Sequence, residues 1–391
     1  MDDGHWADGV RAFFQGDTDL ALRQFHLGLE KEEVSTKILA RRLYFVAELE
    51  KGLGDAIRCL RRAAQLDPEL KQAHVALCLA LEEAGEEEAL RSAACRAVVE
   101  GGLWSHWRQR PAAFLPGLAA SPWWPAELFP WVKALEARAK NLRRRLDLRT
   151  IFDAAPWAPV GGQHRASGSH DGHALRRGAW HEIVLFGLGN EAEEGRSRFL
   201  ALAEAVQSAV PEAVTMAQEG AGEVILSALG PGSHVARHCG RANHRLTAHL
   251  GLCIPQGCGI QVGGEWRCGS LSWQEDKILI FDDSFEHEVQ NNSNSTRVVL
   301  LIRFWHPALN TPERRKAALE HIQAELAYTQ RLQTLPPLAP DYAEPTRALE
   351  EHLLGSGACP NCRSLRGGDL TLDEQKGRAR LVLSCCGHAL E

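Results

Sequence analysis

Apolar residues recur at helical spacing through the first 100 residues of the chain. Three polar turns interrupt this pattern, at Gly16-Asp17, Gly54-Asp55 and Gly85-Glu86, so that successive turn glycines lie 38 and 31 residues apart. A period of this length is typical of stacked helix-turn-helix repeats. The pattern predicts a helical repeat region that, with a junction rich in Trp and Pro, extends over residues 1–130.

The middle unit resembles a tetratricopeptide repeat. In that repeat, small residues let paired helices approach closely and a proline starts the next turn. We expect two to three such repeats, through which the chain would bind protein partners; a generic helical bundle is the alternative, because the outer units match less well. The residues that carry the resemblance are Ala47, Gly52, Ala56, Ala63 and Pro68.

Beyond Ala179 the pattern changes to short strands separated by Gly, Pro and Asn. Polar and apolar residues alternate most clearly in Arg245–Leu250. Strands at this spacing predict a sandwich or a barrel. The predicted strands are Trp180–Leu185, Val224–Leu229, His244–Ile254, Gly259–Val262, Lys277–Phe281 and Arg297–Trp305, with a helical insert over Glu191–Val210.

Helical spacing and proline content define the remaining segments. We expect a helix and linker over residues 131–177, the β-domain over 178–310, a helix and Pro-rich linker over 311–354, and a Cys-rich tail over 355–391. The predicted fold class is therefore multidomain α + β, with helical repeats before a β-domain.

Charge and composition exclude some classes of partner. A net charge of -6 and a pI near 6.3 give no basic field, so we expect no nucleic acid partner. No apolar run reaches the roughly 18 residues of a membrane span, and the start of the chain lacks the features of a signal peptide. The 11 scattered cysteines suit a reducing compartment. We expect a cytoplasmic protein without a membrane segment.

Two segments that contain histidine predict a metal site. His238 is followed by Cys239-Gly240, and His287 ends the run Phe281–His287. Two histidines on adjacent strands of a small barrel can hold redox-active iron and leave positions open for an organic co-substrate and oxygen. Such sites usually add a carboxylate two residues after the first histidine, where this chain has Gly240. We expect water there unless another acid reaches the metal.

Other polar residues near these segments have simpler explanations. Asp282 and Asp283 could supply the missing carboxylate, but Asp-Asp-Ser before a histidine is typical of a turn that positions it, and we prefer the turn. We expect His234 and His306 to be structural, because an isolated histidine is more often a satisfied structural residue than a ligand.

Arg297 provides a candidate anchor for a co-substrate. A dicarboxylate that chelates a metal at one end needs a fixed cation at the other, and a guanidinium can bind a carboxylate with two hydrogen bonds. Period-two alternation places Arg297 on the same strand face as Val299 and Leu301, so this face should point inward. A buried charge there would be costly without a partner.

The residues that carry these motifs resemble the catalytic domain of the aspartyl/asparaginyl β-hydroxylases. The resemblance covers about 130 of the 391 residues and implies a double-stranded β-helix (jelly-roll) fold, which some members carry after tetratricopeptide repeats. It also implies an iron(II)- and 2-oxoglutarate-dependent dioxygenase that hydroxylates an Asp, Asn or related side chain in a protein or peptide substrate. The matching runs are Pro231–Val235, His238–Gly240, Asn243–Leu246, His249–Leu252, Phe281–Val289 and Phe304–Pro307.

The same resemblance implies the roles of the cofactor-binding residues. His238 and His287 would bind iron, with Gly240 at the position where other oxygenases have Asp or Glu. Arg297 and Ser227 would hold the distal carboxylate of 2-oxoglutarate. His249 would help to hold the end near the metal.

The resemblance implies a substrate residue and shows one departure. Arg245 would face the substrate carboxylate, with a surface ion pair as the alternative. The family usually has a second arginine where this chain has Thr247, on the same strand face. Thr247 keeps open a catalytically weak or inactive member that acts as a protein-binding module through its repeats. A zinc hydrolase on the two histidines is a poorer alternative, because it leaves Arg297 without a role.

The tail contains a candidate zinc ribbon. Thiolates in Cys359-Pro360-Asn361-Cys362 have the spacing of one half of a tetrahedral site, and Cys385-Cys386 follow about two dozen residues later. The second half is irregular, so His388 could replace Cys386. Free thiols are the alternative, and the family resemblance does not extend to this segment.

Overall fold

Two units make up the chain, and each contains an apolar core of its own. The computed structural model describes residues 4–145, 157–160, 174–337, 368–373, 378–383 and 389–390. The first unit comprises Met1–Pro116 with Glu320–Ala358, and the second comprises Gly117–Leu319 with Cys359–Glu391. In the described part of the chain, no helix is both long enough and apolar enough to span a bilayer.

Helices that pack as successive pairs open the first unit. The turn of the first pair contains Gly16 at a φ of 82°, and the turn of the third contains Gly85 at 71°, a left-handed conformation that favours glycine. The helical class predicted for this region is confirmed. The helices are α1 (Gly4–Phe14), α2 (Thr18–Lys31), α3 (Thr36–Leu49), α4 (Leu53–Leu66), α5 (Lys71–Glu83) and α6 (Glu87–Val99).

The first helix pair approaches closely at Gly9. A Cβ atom at Gly9 would lie 2.6 Å from Cδ1 of Phe25 on the partner helix, which is closer than van der Waals contact allows. Phe25 is fully buried, with ring centroids of Trp6 at 4.5 Å and Phe45 at 5.7 Å. Phe25 therefore has little space into which it could move.

Antiparallel sheets and their helices form the second unit, which contains the following elements. The strands are β1 (Trp123–Trp124), β2 (Ala158–Pro159), β3 (Leu175–Arg177), β4 (Trp180–Phe186), β5 (Val224–Leu229), β6 (Ser233–His238), β7 (Arg245–Cys253), β8 (Cys258–Val262), β9 (Glu265–Cys268), β10 (Ile278–Phe281), β11 (His287–Asn291) and β12 (Arg297–Trp305). The helices are α7 (Trp131–Arg145), α8 (Glu191–Arg198), α9 (Leu200–Ala209) and α10 (Pro211–Gln218), and α11 (Pro312–Thr334) runs from this unit into the first.

The strand order is that of a jelly roll. The larger sheet has the order β1-β10-β7-β12-β5-β4-β2 and the smaller sheet β3-β6-β11-β8-β9. From β5 to β12 the chain winds between them, with β5, β7, β10 and β12 in the larger sheet and β6, β8, β9 and β11 in the smaller. This double winding is the double-stranded β-helix. The predicted fold class is therefore confirmed.

The larger sheet is buried on both faces. Its outer face packs against α7, α9 and α10, where Leu300 and Leu135 belong to one core. Its inner face shares a second core with the smaller sheet, to which Val299 and Ile260 belong. Every residue of β5 and β12 is buried, which explains why these two strands are nearly continuous apolar runs and were predicted with the observed bounds.

The strands β6 and β11 were not predicted. Both alternate between buried and partly exposed residues and contain histidine, so their local sequence has little strand signal. They pair with each other in the smaller sheet, with His287 opposite His238. Pairing with neighbours that are distant in sequence, and not local propensity, makes these segments strands.

A separate three-stranded sheet lies in the tail. Its strands are β13 (Gly368–Asp373), β14 (Arg378–Leu383) and β15 (Ala389–Leu390). The predicted zinc ligands Cys359, Cys362, Cys385 and Cys386 lie outside the described residues. The zinc ribbon therefore stays a prediction.

Two buried histidines join the end of β12 to its surroundings. His306 Nε2 is 3.0 Å from the carbonyl oxygen of Ala119, and His244 Nε2 is 3.2 Å from that of Ala221. Burial lowers the pKa of His306 to about 4 and that of His244 to about 3. Both rings are therefore neutral at physiological pH, and the expectation that His306 is structural agrees with this geometry.

We expect Gly9→Ala to lower the free energy of unfolding by about 1–3 kcal/mol, because the added methyl group overpacks a closed contact. Gly54→Ala in the same unit is the matched control, since nothing lies within 4 Å of a Cβ at that position. The control should be neutral or stabilising by about 0.5–1 kcal/mol. Thermal unfolding of both variants measures the difference, and equal effects would contradict the packing argument.

We expect the second unit to lose stability as the pH falls below 6.5. A histidine whose folded pKa is depressed takes up its proton first in the unfolded chain, so each contributes a loss of about 1.4 kcal/mol per pH unit down to its folded pKa. His306→Asn retains an amide donor but does not titrate. In this variant the slope of unfolding free energy against pH, between pH 6 and 4.5, should fall by about 1.4 kcal/mol per pH unit, which corresponds to one proton. Urea unfolding at several pH values measures this slope, and a slope equal to that of the unaltered protein would refute the assignment.

Candidate active site

The predicted metal ligands meet inside the jelly roll. His238 on β6 and His287 on β11 are directly opposite each other, and their ring centroids are 4.1 Å apart. Nδ1 of His238 lies 2.8 Å from the carbonyl oxygen of Ala236, and Nδ1 of His287 lies 2.9 Å from that of Phe285. These contacts place a proton on each Nδ1. The lone pair of each neutral ring is then on Nε2, the tautomer that suits a metal ligand.

A carboxylate fills the space beside Gly240. A Cβ at Gly240 would lie 2.9 Å from Cγ and 3.0 Å from Oδ1 of Asp283, so a side chain there would displace the acid. Asp282 instead forms the expected turn, since its Oδ1 accepts a hydrogen bond from the backbone N–H of Ser284 at 2.9 Å. Among the described residues, no cluster of three or more His, Cys, Asp or Glu has the arrangement of a metal site. Asp283 is therefore the acid closest to Gly240, the position where such sites usually have a carboxylate ligand.

Arg297 is a buried cation with no anionic partner. It is 3% exposed, and no carboxylate in the described part of the chain forms an ion pair with it. Its guanidinium lies 4.8 Å from the ring centroid of Trp273, and its Nε has no hydrogen-bond partner. Burial lowers the pKa of Arg297 to about 10, which still leaves it charged at neutral pH. An unpaired internal guanidinium calls for an anionic ligand.

His249 is held as a neutral hydrogen-bond donor. Its Nδ1 accepts a hydrogen bond from Trp273 Nε1 at 3.1 Å, which leaves the ring proton on Nε2. Nε2 is buried and has no hydrogen-bond partner among the described residues. Burial, followed by the charge of Arg297, lowers the pKa of His249 well below its ordinary value. The ring centroid of Phe281 is 5.0 Å from that of His249 and 5.8 Å from that of His287. The ring of Phe281 therefore contacts both His249 and one member of the histidine pair.

Ser227 lies on the strand next to that of Arg297. It is opposite Val299 on β12, two residues from Arg297 on the same inner face. Its Oγ accepts a hydrogen bond from Trp180 Nε1 at 3.0 Å, which leaves the hydroxyl proton to donate elsewhere. The structure therefore brings Ser227, His249 and Arg297 to one face of the larger sheet.

Arg245 is buried in an ion-pair network. Its NH1 donates to the carbonyl oxygen of Ala221 at 3.0 Å and lies 3.7 Å from Glu223 Oε2. Arg245 is 9% exposed, so the alternative of a surface ion pair does not describe it. Its charge is opposed by an internal acid before any substrate arrives.

Arg303 lies directly opposite Thr247. The two residues are in register on β12 and β7. Arg303 pairs with Glu223 through NH1 and lies 3.3 Å from Asp283 Oδ2 through NH2. The cross-strand neighbour of Thr247 is therefore an arginine that already pairs with two acids.

The sequence analysis missed three residues of this site. Arg303 could have been found, because even spacing places it on the same face of the predicted strand as Arg297. Glu223 lies immediately before β5, and Trp273 lies in a loop, so no periodic pattern marked either. Only the tertiary contacts bring Glu223 and Trp273 to the site.

The residues present fit an iron ion with 2-oxoglutarate. Two imidazoles with lone pairs on Nε2 are a suitable donor set for iron that must keep open positions. Arg297, without an internal counter-ion, fits the distal carboxylate of a dicarboxylate, and the unpartnered Nε2–H of His249 fits an oxygen of the same molecule. The donor chemistry and the orphaned buried groups therefore agree with each other.

Comparison with known families gives one match. The family described as Aspartyl/Asparaginyl beta-hydroxylase matches residues 153–307. The aspartyl/asparaginyl beta-hydroxylase of Mus musculus is 34% identical over 216 residues, which cover 54% of this chain and 26% of that protein. The human aspartate beta-hydroxylase domain-containing protein 2 is 40% identical over 106 residues, 26% of this chain and 27% of that protein. The chain thus spans about a quarter of the length of these relatives.

Two solved structures of low identity are similar to part of this chain. A prolyl-4-hydroxylase of Pseudomonas putida is 16% identical, covers 49% of this chain and 93% of that chain, and has a TM-score of 0.25. A Trichoplax adhaerens prolyl hydroxylase, solved with a peptide fragment of hypoxia inducible factor, is 13% identical, covers 45% of this chain and 82% of that chain, and has a TM-score of 0.28. The fold assignment rests on the strand order described above and not on these values.

The family predicted from the ordered motifs is confirmed by the sequence comparison. The match contains His238, His287, Arg297 and the whole jelly roll from β5 to β12. Residues 153–307 of this chain thus match the aspartyl/asparaginyl β-hydroxylase family, as the ordered motifs predict.

Proposed function

We propose that this chain is an iron(II)- and 2-oxoglutarate-dependent dioxygenase that hydroxylates an Asp, Asn or related side chain of a protein or peptide. The observation that carries the proposal is the buried, unpaired Arg297 on the inner face that also carries His249, one aromatic ring away from the histidine pair. A dicarboxylate co-substrate explains this otherwise costly charge.

Each of the proposed cofactor residues on the inner face would have a separate binding role. His238 and His287 would hold the metal through Nε2. Arg297 would bind the distal carboxylate of 2-oxoglutarate with Ser227 as a hydroxyl donor, and His249 would donate Nε2–H near the metal end. When bound, iron(II) with 2-oxoglutarate and oxygen supplies the oxidising chemistry that hydroxylates an unactivated C–H bond, with succinate and carbon dioxide as co-products.

The interior walls would keep water from this chemistry. Phe281 and Phe285 are each 2% exposed and Trp273 is 3% exposed. The rings of Trp273 and Phe281 both lie beside His249; Trp273 also lies beside Arg297, and Phe281 beside His287. Such a lining strengthens the hydrogen bonds made by the polar groups inside it and protects a reactive site from side reactions.

Asp283 lies in the turn that precedes His287, and from that turn its carboxylate would act beside the metal. Its carboxylate fills the space next to Gly240 and is also held by Arg303. There it would accept a hydrogen bond from a water beside a bound iron ion. The glycine is then required for space, since a side chain would push this acid away.

One assay, the formation of succinate, separates the proposed function from its rivals. A weak or inactive member that binds proteins through its helical repeats would give no iron-dependent succinate. A zinc hydrolase would leave Arg297 without a counter-ion. Binding of protein partners by the repeats and a cytoplasmic location are separate proposals, which this assay does not address.

The test of the proposal is succinate formation from 2-oxoglutarate by the purified full chain, with and without added iron(II). We expect iron-dependent succinate, and its loss to background in His238→Ala, because one imidazole cannot retain the metal. His234→Ala is the matched control on the same strand, where His234 pairs with Glu288 at 2.8 Å. Turnover that persists in His238→Ala would overturn the metal assignment.

We expect Arg297→Lys to raise the KM for 2-oxoglutarate about 10- to 100-fold. Lysine keeps the positive charge but cannot form the two parallel hydrogen bonds that a guanidinium makes with a carboxylate. Arg315→Lys is the control, since Arg315 also lies over a tryptophan, at 5.5 Å from the ring of Trp305, but already pairs with Glu212 at 2.9 Å. An unchanged KM in Arg297→Lys would remove Arg297 from the co-substrate site.

A further inference from the structure

A polar wall stands beside the proposed metal site. It consists of Arg245 and Thr247 on β7, Arg303 on β12 and Glu223 next to β5. We propose that this polar wall selects a neutral, amide-bearing side chain such as that of asparagine over a carboxylate. The inference rests on the proposed function and specifies its substrate.

The position of the polar wall makes it a substrate surface. Strand alternation places Arg245, Thr247 and His249 on one face of β7, the face that lines the interior. His249 is the proposed co-substrate ligand, and Arg303 contacts Asp283, the acid beside Gly240. A side chain that enters next to the co-substrate therefore meets the polar wall.

Together with Asp283, the polar wall has no excess positive charge. Arg303 pairs with Glu223 and lies 3.3 Å from Asp283, while Arg245 lies 3.7 Å from Glu223. The two arginines thus face two carboxylates, and their charges cancel. Arg297 is different, since it has no acid partner, but the distal carboxylate of 2-oxoglutarate would neutralise it.

Thr247 leaves a neutral hydrogen-bonding group in the polar wall. It is 1% exposed, and its Oγ1 has no partner among the described residues. A buried hydroxyl is destabilising without a hydrogen bond, so a ligand or a water must supply one. A hydroxyl can both donate and accept, which suits the two ends of an amide group.

A carboxylate would fit this surface poorly. It would bring a third negative charge beside Glu223 and Asp283, and the two arginines of the polar wall already face those acids. A buried anion without a cation is much more costly than a buried amide with matching hydrogen bonds.

The experiment uses two degenerate peptide libraries that differ only in a central Asn or Asp. The full chain, with iron(II) and 2-oxoglutarate, is incubated with each, and tandem mass spectrometry measures addition of one oxygen at the central residue. We expect about tenfold or more product from the Asn library. In a second measurement without turnover, protein loaded with manganese(II) and 2-oxoglutarate should retain Asn peptides over Asp peptides.

Variants of the polar wall give the causal test. Glu223→Gln removes one anion at constant size and leaves the two arginines in excess, so Asp peptides should gain relative to Asn peptides by about tenfold. Glu212→Gln, an exposed acid that pairs with Arg315, is the control and should leave the ratio unchanged. If Glu223→Gln fails to fold by circular dichroism, Thr247→Val removes the hydroxyl at constant shape and should lower the retention of Asn peptides.

The outcomes separate this inference from the proposed function. Equal or preferred use of Asp peptides, or an unchanged ratio in the folded Glu223→Gln variant, overturns the inference. Iron-dependent succinate with neither library hydroxylated or retained also overturns it, while the co-substrate chemistry stands. Absence of iron-dependent succinate would overturn the proposed function itself.

Discussion

Burial of charge between two sheets is the constraint on which the rest of the second unit depends. A guanidinium inside a protein is stable only when an anion or a ligand balances it. Arg245 and Arg303 meet this condition internally through Glu223 and Asp283. Arg297 does not, because the described chain offers it only the face of a tryptophan. Arg245 and Arg303 are therefore balanced within the chain, whereas no described acid balances Arg297.

The jelly-roll winding determines which side chains lie next to each other on the inner face. It places His238 opposite His287 in the smaller sheet, although 49 positions separate them along the chain. In the larger sheet it places β12 between β5 and β7, so that Ser227, Arg297 and His249 share one surface. Backbone pairing on both sides fixes the directions of these side chains more firmly than a loop could.

Hydrogen bonds within the chain also set the protonation of the site. Backbone carbonyl groups hold Nδ1 of His238 and of His287, and Trp273 donates to Nδ1 of His249. The first two rings then present lone pairs, whereas the third presents a proton. One residue type thus performs two different tasks, because its second nitrogen has a different partner in each case.

The sequence by itself determined the fold class, the family and the strands β5 and β12, because continuous apolar runs and ordered motifs are local properties. It also identified His238, His287 and Arg297 as candidates. The tertiary structure alone decided that β6 and β11 are strands, that Asp283 fills the space beside Gly240, and that Arg303 faces Thr247 across two strands. These features depend on register between segments far apart in the chain, and no local pattern of residues encodes such a register.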